Sequence, residues 1–305
     1  MPSNSRTVKA KKLKAKTVKA AAIAQPAAQT LYGAEIEQFH SRLLRVSLAL
    51  EESRAYWEQR AESLLEANDA KAKLAEQAFE SRWFGNKSLE RVRRLLIDFG
   101  YRYDSYPATL NVLTRWQPSD PVTRQNICHW HLQLADPMYR DFSGHFLEQR
   151  RLDSTTSATS IDRDIVARWV SQNLPTEWAT TTVLRMATAL ITCATAAGLC
   201  EHSSGARVLT YPKVTDAALA YWLYFLKDLR FTGTLLTNPY FTSVGLSEGF
   251  LEPRLRQLSG LTFSRMGDLH EFNWQYANLE RWAEGELGVE APERNELAVQ
   301  PEFII

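Results

Sequence analysis

From Ala34 to Arg82 apolar residues recur three and four apart, at Ile36, Phe39, Leu43, Val46 and Leu50, the spacing of a helical seam. Ser53 and Arg60 interrupt it further on, so the pattern predicts one long helix packed on its own domain rather than a dimer zipper. In "NKSLERVRRLLIDFGYRY" Ser88 is placed to cap a helix whose stripe is Leu89, Val92, Leu96 and Phe99, with Gly100 as its stop. Asp120-Pro121 and Asp136-Pro137 repeat one device: an aspartate that accepts free helix-start N–H groups, then a proline whose missing donor is harmless in the first turn. Each predicts a helix start. The first helix has Val122, Ile127, Trp130 and Leu134 on its apolar side, the second Met138, Phe142 and Phe146. "CHWHLQLADP" therefore reads as a buried helix ending at a corner.

Beyond the Ser/Thr-rich "LDSTTSATS", helices are expected over 161–172 and 176–197, the latter turning Val183, Ala187, Leu190, Ile191 and Ala194 inward and ending at Gly198. Arg207 to Tyr211 alternates like a short strand, and "DAALAYWLYFLKDL" is apolar nearly all round, as a central helix is. In "GLTFSRMGDLHEFNW" a Gly267-Asp268 turn pairs Phe263 with Phe272 and Leu261 with Trp274, and Thr262 with Asn273 and Ser264 with Glu271 on the other face. Two helix-like stretches precede it, "NPYFTSVGL" and "EPRLRQLSG". Helix, helix, hairpin is the order of a winged helix, with Pro253 in the first turn of the second helix. The expected fold is mainly α, multi-helical, with a C-terminal winged-helix-like element and a small β-hairpin. Its parts are a disordered basic arm at 1–33, an N-terminal helical domain at 34–152, a C-terminal helical domain at 160–287 and a tail at 288–305.

Composition narrows this. With 305 residues, 45% of them hydrophobic, and nine tryptophans, the chain has enough apolar surface for real cores. The longest uncharged run, Phe231 to Ser247, has 17 residues and contains Asn238 and Pro239, short of the roughly 20 apolar residues of a spanning helix. The basic start is followed by no sustained apolar segment, and Cys128, Cys193 and Cys200 are too few for a disulfide framework. A cytoplasmic protein with reduced thiols and no membrane contact is expected. The net charge of +1 conceals seven positive charges in the arm before any acid, leaving six negative on the remainder.

Candidate chemistry is sparse. Cys128, His129 and His131 are metal-ligand types, as are Cys200 and His202, but no Cys-x-x-Cys or His-x-x-x-His spacing occurs, and 128, 129 and 131 do not share a helix face. The histidines are expected at caps or on the surface. There is no nucleophile elbow and no phosphate loop, so neither an enzyme nor a cofactor is expected. The basic groups point instead to phosphate. Lys9, Lys11, Lys12, Lys14, Lys16 and Lys19 in the arm would release counterions from a polyanion, and Arg91, Arg93 and Arg94 extend the footprint. So would Arg254 and Arg256, on a recognition helix spanning 253–258, and Arg265 near the wing tip.

Four blocks, "FGNKSLERVRRLLIDFGYRY", "LADPMYRDFSGHFLEQRR", "ALAYWLYFLKDLRFTGTLLTNPYFTSVGL" and "LTFSRMGDLHEFNW", give a sequence that resembles the BrxA family of bacterial BREX phage-defence systems over roughly Glu35 to Glu284. The resemblance implies a mostly helical, non-enzymatic protein with a helix-turn-helix or winged-helix element. It would bind double-stranded DNA beside defence partners that include a methyltransferase and an ATPase. The lysine-rich arm and the stretch after it make this chain longer than that family's pattern. The rival expectation, favoured by the six negative charges outside the arm, is a scaffold for other defence proteins with no direct role on DNA.

Overall fold

The computed structural model describes residues 32–63, 71–153, 159–174, 177–203 and 205–289. It is mainly helical, with two small antiparallel sheets. The arm lysines, Lys9 to Lys19, lie outside the described residues, as does nearly all of the expected tail.

The seam at 36–50 is the largest departure from expectation. Leu43 and Val46 are almost completely buried and Ile36, Phe39 and Leu50 partly so, but before Leu50 the backbone is not a helix apart from a 3-10 turn at Arg42–Leu44. It is an extended strap. Ala34 forms a parallel bridge with Arg230, and Ile36 N–H donates to the Leu134 carbonyl at 3.0 Å. The buried Arg102 guanidinium donates to the carbonyls of Val46, Ser47 and Leu48, and Arg140 donates to that of Ile36, taking the acceptors a helix would have used. Ala49, at φ +53°, turns the chain into α1 (Leu50–Ser63), where Glu51 and Glu52 sit favourably against the helix-start dipole.

Next come α2 (Lys71–Glu80) and α3 (Leu89–Phe99). Ser88 caps α3 as expected, its hydroxyl accepting from Arg91 N–H. Gly100 does not stop it. The glycine is right-handed helical, and the chain continues as a wider π-helical turn, Gly100–Asp104, which carries Arg102 and Tyr103 into the core. After α4 (Pro107–Trp116), both Asp-Pro steps start helices as read: Asp120 caps α5 (Pro121–Ala135) through Thr123 N–H, and Asp136 caps α6 (Pro137–Asp141) through Tyr139 N–H. A second π-helical turn, Phe142–Phe146, lets Gly144 lie against Pro239 and leads into α7 (Leu147–Leu152).

The rest follows closely. β1 (Ser160–Ile161) precedes α8 (Arg163–Asn173) and α9 (Thr180–Ala196), the two helices packing on each other, and β2 (Arg207–Val208) pairs with β1. The five α9 residues expected inward are all buried. α10 (Asp216–Leu226) is the central helix, buried continuously from Ala218 to Leu226. Apolar residues on both sides of 152–160 join one connected core, and Trp130 of α5 stacks on Trp222 of α10 with ring centres 5.5 Å apart. Removing either indole leaves a void costing about 3–5 kcal/mol.

Then come α11 (Pro239–Ser243), α12 (Glu248–Leu255), the hairpin β3 (Leu261–Met266) and β4 (Leu269–Trp274), and α13 (Leu279–Leu287). The hairpin register is the expected one in every pair, and Gly267 at φ +61° supplies the turn. The expected recognition helix at 253–258 is displaced. α12 begins five residues earlier, so Pro253 falls inside it, leaving the exposed Gly249 carbonyl to water. α11 packs on the Phe142–Phe146 turn and α12 on β3, and this arrangement does not establish a winged helix.

Candidate nucleic-acid interface

Three kinds of arginine must be separated, because a guanidinium already committed to a buried carboxylate meets a phosphate only by leaving it. The first kind is internal. Arg102 is 1% exposed and pairs with Asp98 at 2.6 Å, and Arg140 reaches Glu35 at 3.5 Å. Burial pushes the Asp98 carboxyl up to about 6, opposed by the Arg102 charge. Glu35 also accepts from Thr232 N–H and hydroxyl and from the Tyr240 hydroxyl. These groups fasten the strap to the body. The sequence signal was charged residues set among apolar and aromatic ones, as in "LIDFGYRY" and "DPMYRDF".

The second kind is clasped. Arg254 donates to the Val214 carbonyl at 2.9 Å and pairs with Asp216, tying α12 to the start of α10. Arg256 and Arg265 share Glu252, which is 7% exposed, and so join α12 to the hairpin. Arg256 and Arg265, both expected to dock DNA, are thus brought together around a carboxylate of the protein's own, and Arg254 is held on another, Asp216.

The third kind is open. Arg91 of α3 donates to the Arg45 carbonyl, which sets the outer face of α3 beside the 3-10 turn at 42–44. Arg94 makes an exposed pair with Glu90 at 2.9 Å, and Arg93 is exposed with no hydrogen bond or ion pair among the described residues. An exposed pair at this spacing contributes only about 0.3–0.5 kcal/mol, so Arg94 is nearly as available as Arg93.

The metal-ligand types go elsewhere. α5 is buried all round from Asn126 to Ala135, so its two histidines are interior, not at caps or the surface. His131 lies 2.9 Å from the Arg102 carbonyl and 2.8 Å from the Tyr221 hydroxyl. His129 lies 2.9 Å from both the Tyr139 and the Ser243 hydroxyls. Burial pushes both imidazoles down to about 3, so each is neutral at pH 7 with both ring nitrogens occupied. Burial also pushes the Cys128 thiol up to about 11, far from a reactive thiolate. Among the described residues no group of three or more His, Cys, Asp or Glu is placed to hold a metal ion.

No described helix is long and apolar enough to cross a membrane. No protein-family description matches the sequence, and no curated protein does. Among solved structures the chain is similar to the crystal structure of an uncharacterized protein from Magnetospirillum magneticum. The two are 13% identical with a TM-score of 0.50, over 68% of this chain and 97% of that one. At that identity the likeness is one of fold alone.

Proposed function

We propose that the chain is a non-enzymatic accessory protein of a BREX-like bacterial phage-defence system, cytoplasmic, that binds duplex DNA mainly through phosphate. The observation that carries this reading is the outer face of α3, where Arg93 and Arg94 stand open to solvent next to Arg91 and the 42–44 turn, together with the six-lysine arm. The resemblance of four sequence blocks to the BrxA family supplies the defence setting. Contacts of this kind neutralise phosphates without reading base edges, so binding is sequence-tolerant and falls steeply with salt.

The test is duplex binding by the full chain across a salt series, with and without Arg93→Ala and Arg94→Ala. Each lost phosphate contact should flatten the log–log salt slope by about 0.9, so the pair should flatten it by about 1.8. Failure of the full chain to bind any duplex at 50 mM salt refutes the reading. A scaffold role is the second reading, favoured by three exposed apolar side chains around α12 and the hairpin tip, Phe250 at 71%, Met266 at 76% and Leu269 at 73%. It predicts co-purification with the methyltransferase or ATPase of the system, lost on Phe250→Glu or Leu269→Glu, and no body contact with DNA.

A further inference from the structure

Arg163 and Arg168 of α8 and Arg185 of α9 were singled out by no sequence motif. All three are exposed, and none makes a hydrogen bond or ion pair among the described residues. They line shallow grooves that run into one another around the α8–α9 pair. A groove of about 530 Å³ lies between the start of α8 and β2, with Arg163 and Arg207 on its walls. Arg163 and Thr188 are shared with a second groove of about 370 Å³, which adds Arg185 and reaches Leu44 of the strap turn. Leu184 is shared in turn with a third, of about 510 Å³, which holds Arg168 and Trp178. Because the turn bearing Leu44 also carries Arg42 and Arg45, and the Arg45 carbonyl holds Arg91, the band continues onto α3.

The chemistry of this band favours a polyanion over a protein. Among the described residues none of the large, mostly exposed apolar side chains lines the three grooves, whose apolar walls include the partly buried Leu44, Leu184 and Trp178. The hydroxyls of Thr188 and Thr192 donate to the Leu184 and Thr188 carbonyls, which leaves the guanidinium groups as the charged donors facing solvent, beside the neutral Ser171, Gln172 and Thr180 of the third groove. Arg207 gives one N–H to the Gly205 carbonyl, while its Nε is out of water with no partner. Arg163 and Arg168 are separated by about 7.5 Å of helix axis, so they can meet separate phosphates.

Counted over turn, α3 face and grooves, nine arginines (42, 45, 91, 93, 94, 163, 168, 185 and 207) face three carboxylates, Glu90, Asp162 and Asp164. Asp98 beside the turn is already matched by Arg102. That is six net positive charges on one band, in a chain whose residues beyond the arm sum to six negative, which leaves twelve negative for everything else. Such segregation draws a polyanion to one face.

We infer that the α8–α9 grooves, joined through the 42–45 turn to the arginine face of α3, are the docking surface for the sugar-phosphate backbone of duplex DNA. This rests on the DNA-binding reading above and extends its site from the α3 face onto the helical pair, away from the hairpin expected from the sequence.

The experiment uses the full chain with Lys9, Lys11, Lys12, Lys14, Lys16 and Lys19 changed to glutamine, so that the body dominates binding. Two triple variants are made on it, each removing three charges: R163A/R168A/R185A and, as the matched control, R254A/R256A/R265A. A 30-base-pair duplex labelled with fluorescein is titrated from 50 to 200 mM salt. The band variant should flatten the log–log slope by about 2.7, so that the fourfold rise in salt weakens it about 40-fold less than its parent, while the control keeps the parental slope. R163K/R168K/R185K, which keeps the charges, should retain the parental slope. Because the three arginines are exposed and unpaired among the described residues, the melting temperature of the band variant should stay within about 2 °C of its parent. Equal slopes for the band variant and its parent, or equal losses in band and control variants, overturn the assignment of the surface while DNA binding stands. If neither the unmodified full chain nor its arm variant binds duplex at 50 mM salt, the DNA reading itself falls and this surface with it.

Discussion

The two buried histidines of α5 make acid stability the most exacting test of the core. In the folded chain His129 and His131 are pushed down to about 3, whereas an unfolded imidazole sits near its ordinary 6.5. A group whose folded value is depressed contributes stability that is present above the unfolded value and lost as pH falls below it. Between pH 7 and pH 5 the unfolded chain takes up protons that the folded chain refuses, a loss of about 1.9 kcal/mol for each histidine. This figure depends only on the folded value lying below about 4. Asp98 works in the opposite direction. Its carboxyl, raised to about 6 from 3.8, binds a proton in the folded state first, returning about 1.3 kcal/mol over the same interval. In the nearby His40–Asp136 pair the histidine is lowered and the acid raised, so their effects oppose each other.

Together these two histidines and Asp98 give a loss of about 2.5 kcal/mol from pH 7 to pH 5. Urea unfolding followed by tryptophan fluorescence at half-unit pH steps measures it, and His131→Gln isolates one contributor. The variant loses some stability at pH 7 from imperfect replacement of the contacts to the Arg102 carbonyl and the Tyr221 hydroxyl, but its curve should be flatter by about 1.9 kcal/mol over the same range. Parallel curves for variant and parent would show that His131 titrates alike folded and unfolded. The buried neutral assignment would then be wrong.

Three further perturbations address the joints of the fold. Asp98→Asn leaves the buried Arg102 guanidinium without its carboxylate and should cost about 3 kcal/mol at pH 7.5, read as a drop in the urea midpoint at constant m; an unchanged midpoint would mean that the carbonyls of residues 46–48 suffice. Gly144→Ala puts a methyl 2.6 Å from the Pro239 Cβ and 2.9 Å from its carbonyl oxygen, so about 1–3 kcal/mol should be lost, with faster amide exchange across α11. Glu252→Gln removes the charge shared by Arg256 and Arg265; with those arginines about half exposed the loss should be near 1 kcal/mol, confined to hairpin and α12 amides by hydrogen exchange.

What was legible in the sequence is what local chemistry decides. Both Asp-Pro starts, the Ser88 cap, the buried α10 and every pair of the β3–β4 register follow from residues within a few positions of one another. The strap at 32–49 was not legible. A period of three to four shows which side chains are buried but not which acceptors the backbone has, and here the competing donors, Arg102 and Arg140, come from far along the chain. The interior histidines did carry a signal: residues 125–139 contain fifteen positions with Asp136 as the sole charged one, a run too apolar on every side for a surface helix. Gly100 misled because a glycine permits a helix to end without requiring it.

The same limit applies to counting arginines as a guide to a nucleic-acid face. What ranks them is the interaction each must give up. Arg163, Arg168, Arg185 and Arg93, which have no partner among the described residues, exchange only water for a phosphate, and Arg94 gives up an exposed pair worth a few tenths of a kcal/mol. Arg265 must abandon a carboxylate that is 7% exposed, leaving Glu252 with fewer donors in a site where an unmatched charge costs about 1–3 kcal/mol. The two sets should therefore separate in paired measurements: alanine at 265 lowers the melting temperature more than it lowers DNA affinity, and alanine at 163 does the reverse. If Arg265 instead weakens binding without weakening the fold, its guanidinium exchanges Glu252 for phosphate at little cost, and the hairpin returns as the docking element.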